Sequence, residues 1–192
     1  MTPLDLAADV ARRLDRLGIP YVIGGSLAST LVGEPRSTAD VDIAVELSAA
    51  MIEPLVDEVS ADFYVPESAV AAAVAARSSF NLIDRRSALK VGVFVLGEDL
   101  LDRRQLERRR SVPFPVDPPQ AVWVTSTEDV VLRKLRWFDD GGQVSDRQWR
   151  DILGVLRTQS SRVDDVYLDS TAEQAGLADL LERARQDARD LA

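Results

Sequence analysis

Two short motifs at a set separation restrict the folds open to this chain. Gly24-Gly25-Ser26 follows the strand-like Pro20-Tyr21-Val22-Ile23, and Asp40-Val41-Asp42-Ile43 opens the next β-rich run. Paired glycines after a strand let the backbone approach a phosphate closely and leave amides for its oxygens. A helix starting near Ser26 adds its positive end and a hydroxyl donor. On a strand, residues i and i+2 share a face, so Asp40 and Asp42 present their carboxylates in parallel. Two hard oxygen ligands on a rigid strand beside a triphosphate suit Mg²⁺. Taken singly, the glycines also read as a turn and the aspartates as a solvated strand face. The order strand, Gly-Gly-Ser, short helix, Asp-x-Asp strand is more specific than either part.

Composition narrows the chemistry. The 192 residues contain no cysteine and no histidine, which excludes disulfides, thiolate zinc, cysteine nucleophiles, Ser-His-Asp catalysis and imidazole metal ligands. Any metal must therefore sit on carboxylates and be Mg²⁺ or Mn²⁺. A net charge of −9 and a pI near 4.6 argue against indiscriminate nucleic-acid binding. The one dense basic stretch, Asp102 to Arg110, reads as a solvated helix face or as a phosphate or RNA contact. No apolar run approaches the roughly 18 residues that span a bilayer, so no membrane association is expected. Met1 to Asp5 shows no signal peptide, and a cytoplasmic location is expected.

Periodicity predicts a helix over 4–17 stopped by Gly18, a strand over 20–23, a short helix Leu27–Val32 closed by Gly33, and a strand over 40–47. Helix is expected at 49–59 and 67–76, and strands at 62–65, 79–84 and 89–96, the last two joined by the turn Asp84-Arg85-Arg86-Ser87. The proline-rich 111–119, whose prolines cannot donate to a sheet ladder, should be extended and cross between subdomains. Thr125-Ser126-Thr127-Glu128 has a capping-box pattern and opens a helix to Asp139, ended by Gly141-Gly142. Ser145-Asp146-Arg147-Gln148 repeats the device for a helix to about Arg157, and a last helix runs from Thr171 to Leu191. Trp123, Trp137, Trp149, Phe114 and Phe138 are expected to pack rather than to stack on a base. The fold class is α/β (α+β): a twisted mixed sheet of about five strands flanked by helices. A mixed-sheet domain over 1–122 would be followed by a helical subdomain over 123–192, with a ligand groove between them.

The glycine and aspartate motifs together resemble the nucleotidyltransferases of the DNA polymerase beta superfamily. Within it the likeness is to the bacterial AbiEii-like and minimal nucleotidyltransferase groups, often linked to toxin–antitoxin and phage-defence systems. Arg36-Ser37-Thr38-Ala39-Asp40-Val41-Asp42 is similar to their Arg-x-Thr-x-Asp-x-Asp segment. Glu128-Asp129, Lys134-Leu135 and Arg147 through Arg150-Asp151-Ile152 resemble their later helices. The resemblance implies transfer of a nucleoside monophosphate from an NTP to a hydroxyl on RNA, a protein or a small molecule, with Mg²⁺ or Mn²⁺. It implies Asp40 and Asp42 as metal ligands, and Lys134 as the cation at the triphosphate. Gly24, Gly25, Ser26, Arg36, Thr38, Arg150 and Asp151 would bind or border the nucleotide, and an antitoxin would be a possible partner. The plain alternative for Arg150 and Asp151 is a helix-to-helix ion pair.

The family carries a third carboxylate on a later strand, in a Lys-Val-Asp segment. This chain reads Lys90-Val91-Gly92-Val93, with glycine at that place. Glycine offers neither a metal ligand nor a base, and loss of a general base costs about 10²–10⁴ in rate. Glu98 or Asp99 would replace it only in a different strand register. Three readings follow: an enzyme impaired or inactivated at Gly92, a degenerate fold that binds nucleotide or a partner without turnover, and an interaction protein with solvated aspartates.

Overall fold

The computed structural model describes residues 2–25, 27, 28, 41–114, 116–159 and 163–190. These residues form two compact units. The first takes residues up to Leu27 and from Val41 to Thr125; the second takes Ala28 and the residues from Ser126 onward. The first unit is a mixed sheet with helices and the second, among the described residues, is helical, which bears out the expected fold class.

The first unit opens with α1 (Pro3–Leu17), whose start is set by a capping box in which Thr2 and Asp5 exchange hydrogen bonds, with Pro3 in the first turn. Leu6, Val10 and Leu14 line its buried face, and complete burial of each contributes about 1.5–3 kcal/mol. Gly18, at φ +65°, ends the helix in the left-handed region. There follow β1 (Tyr21–Ile23), β2 (Val41–Val45), a 3₁₀ turn Ala49–Met51, α2 (Ile52–Val59), β3 (Phe63–Tyr64) and α3 (Glu67–Ala76). Then come β4 (Ser79–Asp84), β5 (Lys90–Val95), α4 (Leu100–Glu107), β6 (Arg110–Phe114) and β7 (Gln120–Val124).

The seven strands lie in the order β3-β4-β5-β2-β1-β7-β6. In β4 and β2 residues alternate between buried and more exposed, so that Phe80, Leu82, Val41, Ile43 and Val45 belong to the core. The β4–β5 hairpin is fixed at its turn, where Asp84 accepts hydrogen bonds from the Ser87 amide at 2.7 Å and the Ser87 hydroxyl at 2.5 Å. Those bonds hold the Asp84 carboxyl below its ordinary range.

Two expectations need correction here. The first part of the segment expected as a crossing is instead a strand: β6 pairs antiparallel with β7, and Pro113 sits opposite Ala121. The sheet tolerates it because β6 is its outermost strand, where a missing N–H need not break a ladder bond. The sheet also gains β7, which directly follows the prolines.

The second unit contains α5 (Thr127–Asp140), α6 (Asp146–Gln159), α7 (Asp165–Gln174) and α8 (Ala178–Asp190). The first cap is one residue later than expected. Ser126 is the N-cap, accepting from the Asp129 amide at 3.2 Å and donating to the Asp129 carboxylate at 2.7 Å. Ser145 accepts from the Gln148 amide as anticipated. The last helix is two, because Gly176 at φ +69° breaks the run between α7 and α8. Leu177, Leu180, Leu181 and Ala184 are buried, as their spacing suggested. Phe138 stacks on Trp149 with ring centroids 4.8 Å apart, and Phe114 is buried in the sheet unit, so these aromatics pack as expected.

Two outcomes follow from these local bonds. Ser126→Ala should lower the unfolding free energy by about 1–2 kcal/mol in denaturant titration, through loss of the cap. Ser87→Ala should raise the Asp84 pKa toward the ordinary carboxylate value, seen by NMR titration. Because the folded-state pKa is depressed, the Asp84 contribution is present above the unfolded-state pKa and disappears as pH falls through the folded one. The variant should therefore lose stability near neutrality and show a weaker acid dependence than the parent.

Candidate functional site

The glycine pair and Asp42 meet in the first unit. β1 and β2 are antiparallel with Ile23 opposite Ile43, and the Gly24 amide donates to the Asp42 carbonyl at 3.0 Å. Gly25 has φ +58°, a backbone conformation that side chains rarely adopt. A Cβ built there would stand 2.1 Å from Asp42 Oδ2 and 2.8 Å from Asp42 Cβ. The Asp42 carboxylate thus lies against the bare backbone of Gly25, and only glycine meets both demands. Thr125, buried at the end of β7, donates through its hydroxyl to the Ile23 carbonyl at 3.1 Å. Its Oγ1 is 3.6 Å from where a Gly24 Cβ would be.

On the other side of Asp42, β2 runs parallel to β5 with Asp42 directly opposite Gly92. A Cβ at residue 92 would lie 3.1 Å from Asp42 Oδ1 and 3.3 Å from Phe94 Cε2. Position 92 therefore projects toward the Asp42 carboxylate, and the expected register of this strand is the observed one. A larger residue there would need shifts of a few tenths of an ångström in two side-chain groups. Glu98 and Asp99 lie beyond the end of β5, and Asp99 caps α4 by accepting from the Asp102 amide at 2.9 Å. On β4, antiparallel to β5, Asn81 is opposite Gly92. Registered residues share a sheet face, so Asp42, Gly92 and Asn81 form one cross-strand row. Asn81 was missed in the sequence; drawing the hairpin register back from the Asp84–Ser87 turn would have found it.

Ser26, Arg36, Thr38 and Asp40 lie outside the described residues, as does most of the expected helix Leu27–Val32. Among the described residues no three acidic groups converge as a metal site. Asp42 is a hard oxygen donor on the half-buried side of β2, flanked by two glycines that put no side chain beside it. A carboxylate in that setting suits a divalent cation.

In the second unit, Lys134 Nζ donates to Asp151 Oδ2 at 3.1 Å, tying α5 to α6. Lys134 is buried and Asp151 nearly so. Arg150 is exposed and donates to the Asp146 carbonyl of its own helix at 3.3 Å. Glu128 is wholly buried and accepts from the Asp164 amide at 2.9 Å, and Asp129 accepts from the Tyr167 hydroxyl at 2.6 Å. These acids anchor the start of α5 to α7. In the basic stretch, Arg104 pairs with Glu107, and Arg109 lies over Trp123 and donates to the Tyr21 carbonyl.

No protein-family model matches the chain, and no curated protein does. Solved structures are similar in fold. An antigenic nucleotidyltransferase-like protein from Paracoccidioides brasiliensis superposes with a TM-score of 0.57 at 19% identity, covering 96% of this chain and 92% of the other. The crystal structure of ANT(2'')-Ia in complex with adenylyl-2''-tobramycin gives 0.52 at 10% identity, over 90% and 98% of the two chains. The solution structure of this antibiotic-resistance factor gives 0.51 at 11%, over 95% and 97%. The chain thus shares the fold of these nucleotidyltransferase-like structures.

Gly25→Ala should destabilise the protein by about 1–2 kcal/mol from the left-handed backbone alone. The collision with Asp42 should add to this. In a denaturation double-mutant cycle, Asp42→Gly should relieve the second part and leave the first.

Proposed function

We propose that the chain binds an NTP with Mg²⁺ or Mn²⁺ and transfers its nucleoside monophosphate to a hydroxyl acceptor, at a rate limited by Gly92. The observation that carries this reading is the arrangement of Asp42 between Gly25 and Gly92, on a fold shared with nucleotidyltransferases. The backbone at Gly24 and Gly25 would receive phosphate oxygens. Asp40 and Asp42 would hold the cation, which when bound neutralises charge on the triphosphate. Ser26, Arg36 and Thr38 would line the nucleotide's side of the site. Lys134, oriented by Asp151, would supply a fixed positive charge to the phosphates, with Arg150 bordering them. The acceptor class is RNA, protein or small molecule, and a toxin–antitoxin or defence setting with an antitoxin partner rests on the sequence resemblance alone. Among the described residues no helix is long and apolar enough to cross a membrane, and a cytoplasmic site of action is part of the proposal.

A second reading, nucleotide binding without turnover, is favoured by the glycine opposite Asp42. Nothing else on the Asp42 row carries a charge that would take a proton from an acceptor hydroxyl.

Labelled-NTP binding and transfer, measured on the parent, Asp42→Ala and Gly92→Asp, separates these readings. Metal-dependent binding should vanish in Asp42→Ala, and transfer should rise about 10²-fold or more in Gly92→Asp. Binding without transfer in the parent, even with Mn²⁺, would establish the second reading. Transfer that survives Asp42→Ala would exclude the proposed site.

A further inference from the structure

The peptide group that joins Ile23 to Gly24 is held from two strands at once. Its N–H donates to the Asp42 carbonyl on β2 at 3.0 Å, and its carbonyl accepts from Thr125 at the end of β7. Thr125 makes two bonds to that oxygen, through its amide at 3.0 Å and its hydroxyl at 3.1 Å. The next residue along the chain is Gly25, whose backbone lies against the Asp42 carboxylate. Among the described residues the ladder between β1 and β7 has one registered pair, Ile23 with Val124, so by itself it fixes the end of β1 weakly.

Shape does not call for a hydroxyl at this place. β7 fills its other buried positions with Val122 and Val124, and valine has nearly the outline of threonine. A buried hydroxyl costs free energy unless it is bonded, and Thr125 is 3 % exposed. It finds its bond on the second lone pair of the Ile23 carbonyl. Without the hydroxyl that carbonyl keeps its amide partner, so the fold survives while the peptide gains freedom to tilt. A tilt passes directly to Gly25, because two glycines in succession have no Cβ to resist it.

We infer that Thr125 is a positioning residue for the nucleotide: its hydroxyl locks the Ile23–Gly24 peptide and so fixes the Gly25 backbone where phosphate oxygens would dock. This rests on the nucleotide-binding reading of that backbone given above. A backbone already in place binds an anion without the ordering that a loose one requires. Thr125 acts through the peptide it holds.

The test is isothermal titration of an α,β-methylene ATP analogue with Mn²⁺ into the full chain. Two comparisons isolate the hydroxyl: the parent against Thr125→Val, and Thr125→Ser against Thr125→Ala. Thr125→Val should raise Kd about tenfold, the scale of effect typical of groups that orient ligands at such sites. Thr125→Ser should bind close to the parent because it keeps the donor, and Thr125→Ala should lose affinity as Thr125→Val does. The second comparison decides the matter if Thr125→Val does not fold. A hydroxyl with a structural role alone would change the melting temperature by about 2–4 °C and leave Kd unmoved. That result, with binding abolished in Asp42→Ala, overturns the inference and leaves the site standing. Ser87→Ala, which weakens the β4–β5 turn, should keep the parent's Kd; an equal loss there would trace the effect to stability and overturn the inference too. If Asp42→Ala binds like the parent, or the parent does not bind, the site reading fails and the role of Thr125 fails with it.

Discussion

Everything at the site depends on the close fit of one carboxylate against one backbone. Asp42 occupies the volume that any side chain at residue 25 would need, and Gly25 adopts a φ that glycine tolerates without strain. The pairing of β1 with β2 sets that contact, and the parallel pairing of β2 with β5 sets its other flank. Once those registers are made, the positions of Gly24, Gly25, Asp42 and Gly92 are no longer independent. A one-residue slip of β2 would turn Asp42 into the core and bring Val41 or Ile43 to the surface. The apolar face of the strand therefore protects the placement of the polar one.

The helical unit rests on a different kind of constraint. Buried acids at the head of α5 find their partners in the Asp164 amide and the Tyr167 hydroxyl, and Lys134 finds Asp151. A buried charge without its partner is far costlier than the pair, so each bond fixes a helix more by the penalty of losing it than by its own strength. The Glu128-Asp129 and Lys134 segments that resemble nucleotidyltransferase motifs are, in this chain, also the braces of the bundle. Their structural work is sufficient reason for their presence, and a catalytic duty for Lys134 would be added to it.

Local pattern made much of this legible. The run Ser79–Asp84 and the turn after it defined a hairpin whose first strand the structure repeats, and the helical spacing of Leu4, Ala7, Ala11, Leu14 and Leu17 defined α1. The parts that were hidden depend on partners far along the chain. Pro113 reads as a barrier to pairing until β6 is known to be the outermost strand, and Gly176 reads as a tolerated glycine until its positive φ divides α7 from α8. The cap at Ser126 differs by one residue from the expected box because two overlapping Ser/Thr-x-x-acid patterns occur there, and only the side-chain bonds choose between them. At the site, Asp42 and the glycines were visible as motif, whereas Asn81 enters only through register, which no single segment encodes.

The outermost strands have a consequence for the life of the protein in a crowded solution. At one rim stands β3, only two residues long, and at the other stands β6, with a proline within it. Neither offers a stranger's backbone a long uninterrupted row of donors and acceptors. A seven-stranded sheet with a half-open polar face would otherwise be a ready seed for growth by strand addition. Blunted rims let the molecule keep that face open without inviting its own copies to polymerise along it.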